Sequence, residues 1–290
     1  MKSEIQNTAI SINKTLNLGG RLLNLNLPRV MGVLNITPDS FYDGGRYMNE
    51  KEILHRAEKM LAEGATFLDI GGYSSRPGAD DIPQEEELRR VRPAIAAVIR
   101  EFPDALIAID TFRTEVAVAA VGEGAVMVND ISAGSLDPGL PYAVARLGVP
   151  LIAMHMRGTP KTMNTLTEYD HLMKDIITYF HEKIQTFHGL GIRDIIIDPG
   201  FGFAKTVAQN FAILNRLADL RIPGKPLLVG LSRKSMIWRT LQTTAEDALN
   251  GTTCLNTIAL LGGASILRVH DVRQAVESIT LVSAMRGAPQ

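Results

Sequence analysis

The chain has 290 residues, 46% of them hydrophobic, and a formal net charge of −1. A balance so near zero argues against a general nucleic-acid or membrane-surface binder, and no uninterrupted apolar stretch is long enough to span a bilayer. The single cysteine, Cys254, allows no intramolecular disulfide, and the polar residues 1–7 lack the apolar core of a secretory signal, so a reducing, cytoplasmic location is expected.

Residues 10–27 read as a hairpin. Ile10-Ser11-Ile12 and residues 22–27 alternate around the turn signal Asn17-Leu18-Gly19-Gly20. After it, eight short apolar runs end abruptly in polar, Gly or charged residues. They end at Leu34-Asn35, Ile70-Gly71, Ile109-Asp110, Val128-Asn129, Met154-His155, Ile197-Asp198, Leu231-Ser232 and Val269-His270. The predicted barrel strands are 30–34, a second reaching Ile70, 106–109, 125–128, 150–154, 194–197, 227–231 and 266–269. Helical periodicity fills most of the gaps. A first helix is predicted over 51–63, with Ile53, Leu54, Ala57, Met60 and Leu61 on one face. A second starts near Pro83 with Glu85, Glu86 and Glu87 in its first turn. Asp137-Pro138 reads as the N-cap and first residue of a fourth. A fifth is predicted over 169–188 with Leu172, Ile176, Phe180, Ile184 and Phe187 inward, a seventh begins within 232–235, and an eighth follows Asp271. Gly64, Gly124, Gly148, Gly191 and Gly263 each precede an apolar residue where a helix gives way to a strand, as suits the left-handed position after a helix.

Strands alternating with helices form a parallel sheet, and eight such units in this length make one (β/α)₈ TIM barrel of the α/β class. The expected organisation is a single domain over 1–290, with the hairpin at about 10–27 covering the open bottom of a barrel at about 28–287. The βα loops after strands 1, 2 and 5 exceed the usual two to six residues, and in such barrels the site lies at that face.

The strand ends form a ring there. Asn35, Asp110, Asn129 and Asp198 can donate to and accept from a flat, amide-rich heterocycle. Lys234, Arg268 and His270 stand opposite, where barrels often bind phosphate, and Ser232-Arg233-Lys234-Ser235 falls at a helix start. The pattern points to a heterocycle carrying a phosphate or pyrophosphate. Plainer readings exist singly: a turn for Asp198-Pro199-Gly200, strand-end caps for Asn35 and Asn129, an N-cap for Asp110-Thr111, a solvated side chain for Lys234. Arg268 resists one, because a charge inside an apolar strand is costly unless paired. His155 and Met156 read as packing beneath the pocket, and His55, His171, His181 and His188 as helix residues. There is no Cys/His cluster of zinc-site spacing.

Residues 31–41 (MGVLNITPDSF), Asp69-Ile70-Gly71-Gly72 with Ser74-Ser75-Arg76-Pro77-Gly78, and Asn129-Asp130-Ile131-Ser132 resemble signatures of the dihydropteroate synthase family. So do His155-Met156-Arg157-Gly158-Thr159-Pro160, residues 198–203 (DPGFGF), Ser232-Arg233-Lys234-Ser235 and Arg268-Val269-His270-Asp271. The resemblance runs in order from about residue 30 to 271. It implies condensation of 6-hydroxymethyl-7,8-dihydropterin pyrophosphate with p-aminobenzoate to 7,8-dihydropteroate and pyrophosphate, a step of folate synthesis that sulfonamides inhibit by mimicking the aminobenzoate. It implies that Asp110, Asn129, Asp198, Lys234 and Ser75 hold the pterin and its pyrophosphate. Arg268 then stacks on the ring and faces the pyrophosphate, His270 and Asn35 contact phosphate, and Asn35 lies beside Mg²⁺. By the same resemblance Asp43 and Arg76 come from the two long loops, and Phe41, Arg76, Pro77, Phe203 and Ser235 form the aminobenzoate pocket. The implied catalytic set is Asp43, Arg76, Asp110, Lys234 and Arg268, in a homodimer.

Three positions depart from the family pattern. Ser75 stands where Thr is common, Tyr73 in a position often acidic, and Ala204 where Gly is common. Two rivals share part of the pattern. A methyltetrahydrofolate:corrinoid methyltransferase needs the pterin-facing residues but not the anion site of strands 7 and 8. A non-catalytic pterin-binding paralogue need not keep Asp43, Arg76 and Ser235.

Overall fold

Side chains of a strand alternate between its two faces, so a barrel strand is read twice, once for the lumen and once for the surrounding helices. The computed structural model describes residues 14–36, 50–74 and 81–288; Ile10-Ser11-Ile12 of the expected hairpin lie outside them. Strands β1 (Thr15–Leu18) and β2 (Arg21–Asn24) pair antiparallel across Gly19-Gly20. The barrel strands are β3 (Arg29–Asn35), β4 (Phe67–Gly71), β5 (Leu106–Asp110), β6 (Met127–Asp130), β7 (Leu151–Met154), β8 (Ile195–Asp198), β9 (Leu228–Val229) and β10 (Ile266–Val269). Helices α1 (Glu50–Ala62), α2 (Gln84–Glu101), α3 (Thr114–Gly122), α4 (Leu140–Leu147), α5 (Leu172–Gly189) and α6 (Val207–Asn215) separate them. α7 (Ser235–Leu241) and α8 (Leu249–Leu261) both lie between β9 and β10, and α9 (Val272–Gly287) follows.

All neighbours in the eight-stranded sheet are parallel, in the order β8-β7-β6-β5-β4-β3-β10-β9. Ile197 bridges Leu227 beside β9, and its N–H donates to Pro226 O at 3.0 Å, which brings the last two edges together. The outward set, including Leu34, Ile70, Ile109, Val128, Ile197 and Val269, packs under the helices. The inward set at the bottom, Met31, Phe67, Leu106, Met127, Ile152, Ile196, Leu228 and Ile266, forms a separate cluster with Leu16, Leu18 and Leu25 of the hairpin segment. The hairpin is therefore the floor of the lumen. Its cover matters because a barrel mouth lined by such residues would otherwise expose them to water.

The five glycines expected to end helices all have positive φ: Gly64, Gly124, Gly148, Gly191 and Gly263. Gly148 is itself the left-handed C-cap of α4. Other expectations are corrected. Asp137 does not cap α4; it accepts from Thr114 N (2.7 Å) and Gly139 N (2.9 Å), and α4 starts after Gly139, with Pro138 left outside it. α5 starts at Leu172, three residues late, and Met173 rather than Leu172 takes the buried place in its stripe. β6 begins at Met127 because Gly124-Ala125 still belong to the helix exit, where Ala125 N donates to Ala120 O. β9 shrinks to two residues before Gly230.

Leu16→Ala removes a side chain 1% exposed from the floor cluster. It is expected to destabilise the fold by about 2–5 kcal/mol, read as a lower urea midpoint, with the strand-end site left in place. A midpoint equal to wild type would show that the hairpin does not close the barrel.

Candidate active site

The register of the sheet lines up the polar strand ends. Asn35 is level with Gly71, Gly71 with Asp110, and Asp110 with Asn129. One step lower, Asp69 is level with Val33 and Ala108. Counting upward by two from the apolar floor gives Met31 to Asn35, Phe67 to Asp69, Leu106 to Asp110, Met127 to Asn129, Ile196 to Asp198 and Ile266 to Arg268. Asn35, Asp110, Asn129, Asp198 and Arg268 thus face the lumen by parity alone, and so does Asp69. Gly71 leaves room between them: a Cβ there would sit 3.3 Å from Asp110 Cβ and 3.7 Å from Asn35 Oδ1.

Arg268 is the centre. Its Nε donates to Asp69 Oδ2 at 2.6 Å and its Nη2 to Asp110 Oδ2 at 2.7 Å. Asn129 Nδ2 donates to both oxygens of Asp69, at 3.3 and 3.2 Å. Burial opposes the guanidinium's charge, yet the two carboxylates outweigh it and hold its pKa above the ordinary value. Burial also raises Asp110, to about 7, with Arg268 pulling it back and Asp69 pushing it further up. These contacts dispose of two plain readings, since Asp110 turns to Arg268 rather than capping α3 and Asn129 serves Asp69. Sequence reasoning gave Asp69 no role. The signal was present: a carboxylate inside an apolar strand, on the inward parity, as costly unpaired as Arg268 itself.

Asp198 is 6% exposed, and its Oδ1 accepts from Gly200 N at 2.8 Å. It therefore makes the turn contact while staying within the buried inward layer. Burial raises its pKa against the pull of Lys234. Lys234, at the cap of α7, donates to Phe201 O and stands 5.1 Å from the Phe203 ring centroid. Burial lowers its amine to about 8, while Asp198 favours the charge. Ser235 opens α7, as expected. His270 N and Nδ1 lie 3.2 and 3.0 Å from Ser232 Oγ, which joins the loops after β9 and β10. Arg233, at φ +54°, reinforces that link through Asp271 (2.9 Å to each oxygen).

Asp43, Phe41, Ser75, Arg76 and Pro77 lie outside the described residues. His155 is buried, as expected of packing, but against Lys205, whose role sequence reasoning also missed. Asn35 Oδ1 offers one hard oxygen at a strand end, and no cluster of three His, Cys, Asp or Glu occurs among the described residues. That donor set fits a cation that takes most of its oxygens from substrate and water, as Mg²⁺ does.

A family model described as pterin binding enzyme matches residues 31–270. The chain is 41% identical over 273 residues to the dihydropteroate synthase of Escherichia coli (strain K12), covering 93% of this chain and 96% of the relative. The chain belongs to the dihydropteroate synthase family. A Yersinia pestis dihydropteroate synthase solved with a sulfonamide drug superposes with a TM-score of 0.90 and 42% identity, over 94% of this chain and 100% of that one. A Xanthomonas albilineans dihydropteroate synthase solved with 4-aminobenzoic acid gives 0.88 and 40%, over 95% and 99%.

Two departures from the pattern of dihydropteroate synthases have visible consequences. Tyr73 packs edge-on to Phe112, with ring centroids 5.1 Å apart, and takes the Arg113 guanidinium 5.4 Å from its ring. Arg113 also donates to buried Glu87 (2.8 Å) and to Ile82 O (2.6 Å), so the Tyr73 ring adds a cation–π contact to a guanidinium already held by a carboxylate. Ala204 sits at φ +49°, a conformation that favours glycine.

Asp69→Ala would leave Arg268 with half of its carboxylate clamp in a largely buried place. Breaking one side of a buried pair typically costs about 3–5 kcal/mol, and chemical denaturation should register a loss of that order. Unchanged stability would mean that the clamp does not hold the lumen together.

Proposed function

We propose that the protein condenses 6-hydroxymethyl-7,8-dihydropterin pyrophosphate with p-aminobenzoate, giving 7,8-dihydropteroate and pyrophosphate, and that one domain carries the whole site. The observation that supports this best is the inward polar layer of Asp110, Asn129 and Asp198 beside the cations Lys234 and Arg268, in a chain of this family. The anion-facing half, Lys234, Arg268 and the Ser232–His270 pair, favours the synthase over a corrinoid methyltransferase, which has no pyrophosphate to hold.

The proposed roles follow from charge. Asp198, Asp110 and Asn129 grip the aminopyrimidinone edge of the pterin, the carboxylates accepting from its N–H groups. The bond from the pterin methylene carbon to the pyrophosphate oxygen breaks with its electrons going to oxygen. Positive charge spreads into the heterocycle, where Asp110 and Asp198 favour it in a water-poor lumen. Lys234, Arg268, His270 and Asn35 stabilise the departing pyrophosphate, and Mg²⁺ held by Asn35 and the substrate would neutralise part of that charge as a Lewis acid. The aniline nitrogen then bonds to the methylene carbon and releases a proton. Phe203 and Ser235 border the proposed aminobenzoate side, with Ser75, Phe41, Asp43, Arg76 and Pro77 assigned by family resemblance. No covalent nucleophile is required.

A homodimer in the cytoplasm is proposed as the working form. Ile258 and Leu261 of α8 and Leu281 and Met285 of α9 are exposed, and Arg286 donates to Leu260 O at 2.8 Å, so these apolar residues sit at adjoining helix ends. Such a patch suits burial against a second copy. No helix among the described residues is long and apolar enough to cross a membrane.

The deciding assay mixes the pterin pyrophosphate and p-aminobenzoate and reads pyrophosphate release, with and without Mg²⁺; release independent of aminobenzoate, or none, refutes the proposal. Asp198→Asn should keep the fold and weaken pterin binding by about 1.5–3 kcal/mol, the value of a hydrogen bond to a charged group. Calorimetric titration measures it, and an unaltered affinity removes Asp198 from the site. The ionised form of Asp110 is the one that accepts pterin N–H bonds, and its pKa is raised to about 7. Pterin affinity should therefore fall as pH drops through that value. Asp110→Asn should bind more weakly with a flatter acid limb; the same acid limb in both proteins would assign it elsewhere.

A further inference from the structure

Lys205 is only 8% exposed, an unusual place for an ammonium. Its Nζ lies 2.9 Å from Phe203 O, 3.1 Å from Gly200 O, 3.3 Å from His155 O and 2.9 Å from His155 Nδ1. Three carbonyls and an imidazole nitrogen thus converge on one amine. While the amine is charged it can only donate, so His155 Nδ1 accepts and the ring proton sits on Nε2.

The carbonyls belong to the loop that leaves β8 at Asp198 and re-enters the fold at Thr206, the N-cap of α6, which exchanges hydrogen bonds with Gln209. The loop lies backbone against backbone on the end of β7. Gly200 has φ +68°, and a Cβ there would stand 2.1 Å from His155 O. Carbonyl dipoles turned toward one point repel each other unless a cation sits among them. Lys205 holds Gly200 and Phe203 from within, while Lys234 takes the intervening Phe201 O from the neighbouring loop. Asn210 Oδ1 accepts from Gly202 N, and the Tyr169 hydroxyl donates to Ala204 O. The same loop starts from Asp198 and carries Phe203 near its other end.

We propose that Lys205 is a positioning residue that folds the β8–α6 loop around its amine, so that Phe203 stands beside Lys234 and Asp198 at a common cleft. The inference rests on the function proposed above in assigning Phe203 to the aminobenzoate side. The charged or titratable groups facing the amine are Asp198 from β8, Lys234 from the β9–α7 loop, and Arg157 and His155 after β7. Burial lowers the amine to about 7 against the opposing pull of Asp198. Near neutrality the amine therefore loses its charge and one of its three N–H donors, and the carbonyls that converge on it lose the cation among them.

The test compares wild type with Lys205→Met, which keeps the apolar stem, and Lys205→Arg, which keeps a charge in a head too broad for the cage. In wild type the KM for p-aminobenzoate should rise by up to about tenfold as pH increases through about 7, with kcat changing less. In Lys205→Met the KM should be high and flat over that range, and in Lys205→Arg flat as well. An activity-free readout accompanies it: backbone amide resonances of Gly200, Gly202 and Phe203 should broaden or shift in both variants, with those of β8 unmoved. If wild type performs no condensation but these resonances respond, the proposed function fails and the role of Lys205 stands. Either variant with wild-type loop resonances, or with a wild-type KM and pH course, overturns the inference.

Discussion

The site depends on one ion pair network, Arg268 between Asp69 and Asp110. A guanidinium buried in a barrel lumen would be prohibitively costly alone, and so would either carboxylate. Together they satisfy one another at 2.6 and 2.7 Å. The clamp joins β10 to β4 and β5 across β3, which lies between them in the sheet. It also shapes the ligand site, because it fixes the plane of the guanidinium and orients Asp110. Pairing of this kind contributes little net stability over an apolar replacement; its value here is that the lumen cannot be refilled with leucine and still recognise a polar heterocycle.

Parity explains why such a network can exist within a stable fold. The lower lumen is apolar and sealed by Leu16, Leu18 and Leu25. The outward faces of the same strands pack under helices from bottom to top. Only the last inward positions of each strand are free of that packing duty. They are also the positions from which side chains of different strands meet, so polarity is confined to one end of the lumen and the rest of the barrel supports it.

Most of this was legible in the sequence, since a strand that ends in a polar residue announces its own C-terminal edge. Asn35, Asp110, Asn129, Asp198, Lys234 and Arg268 all fall on the ring read from those edges. What failed has local causes. Asp137 looks like a helix cap because Asp-Pro usually is one, but its carboxylate serves Thr114 on a different helix, a contact that no local pattern encodes. Asp69 was passed over because it lies two residues short of the edge, where its partner Arg268 is 199 residues away. Lys205 was passed over because a lysine in a Gly-rich loop is ordinarily solvated; only the convergence of backbone carbonyls from two loops buries it.

The charge count of the lumen bears on how it handles a polyanion. Asp69, Asp110 and Asp198 face Arg268, Lys234 and Lys205, and each cation is already engaged by carboxylates or carbonyls. The assembly is close to neutral before any ligand enters. A neutral lumen suits an uncharged heterocycle, and carboxylates favour any positive charge that grows on one. It is poorly matched to a pyrophosphate, whose negative charge exceeds what Lys234 and the outer edge of Arg268 have left to give. A hard divalent cation bound mainly by pyrophosphate oxygens would supply the missing positive charge while asking only one oxygen, that of Asn35, from the protein. On this account a sparse metal site would be a consequence of the acid-rich lumen. A protein-built metal cage of further carboxylates would compete with Asp69 and Asp110 for Arg268 and undo the clamp on which the lumen depends.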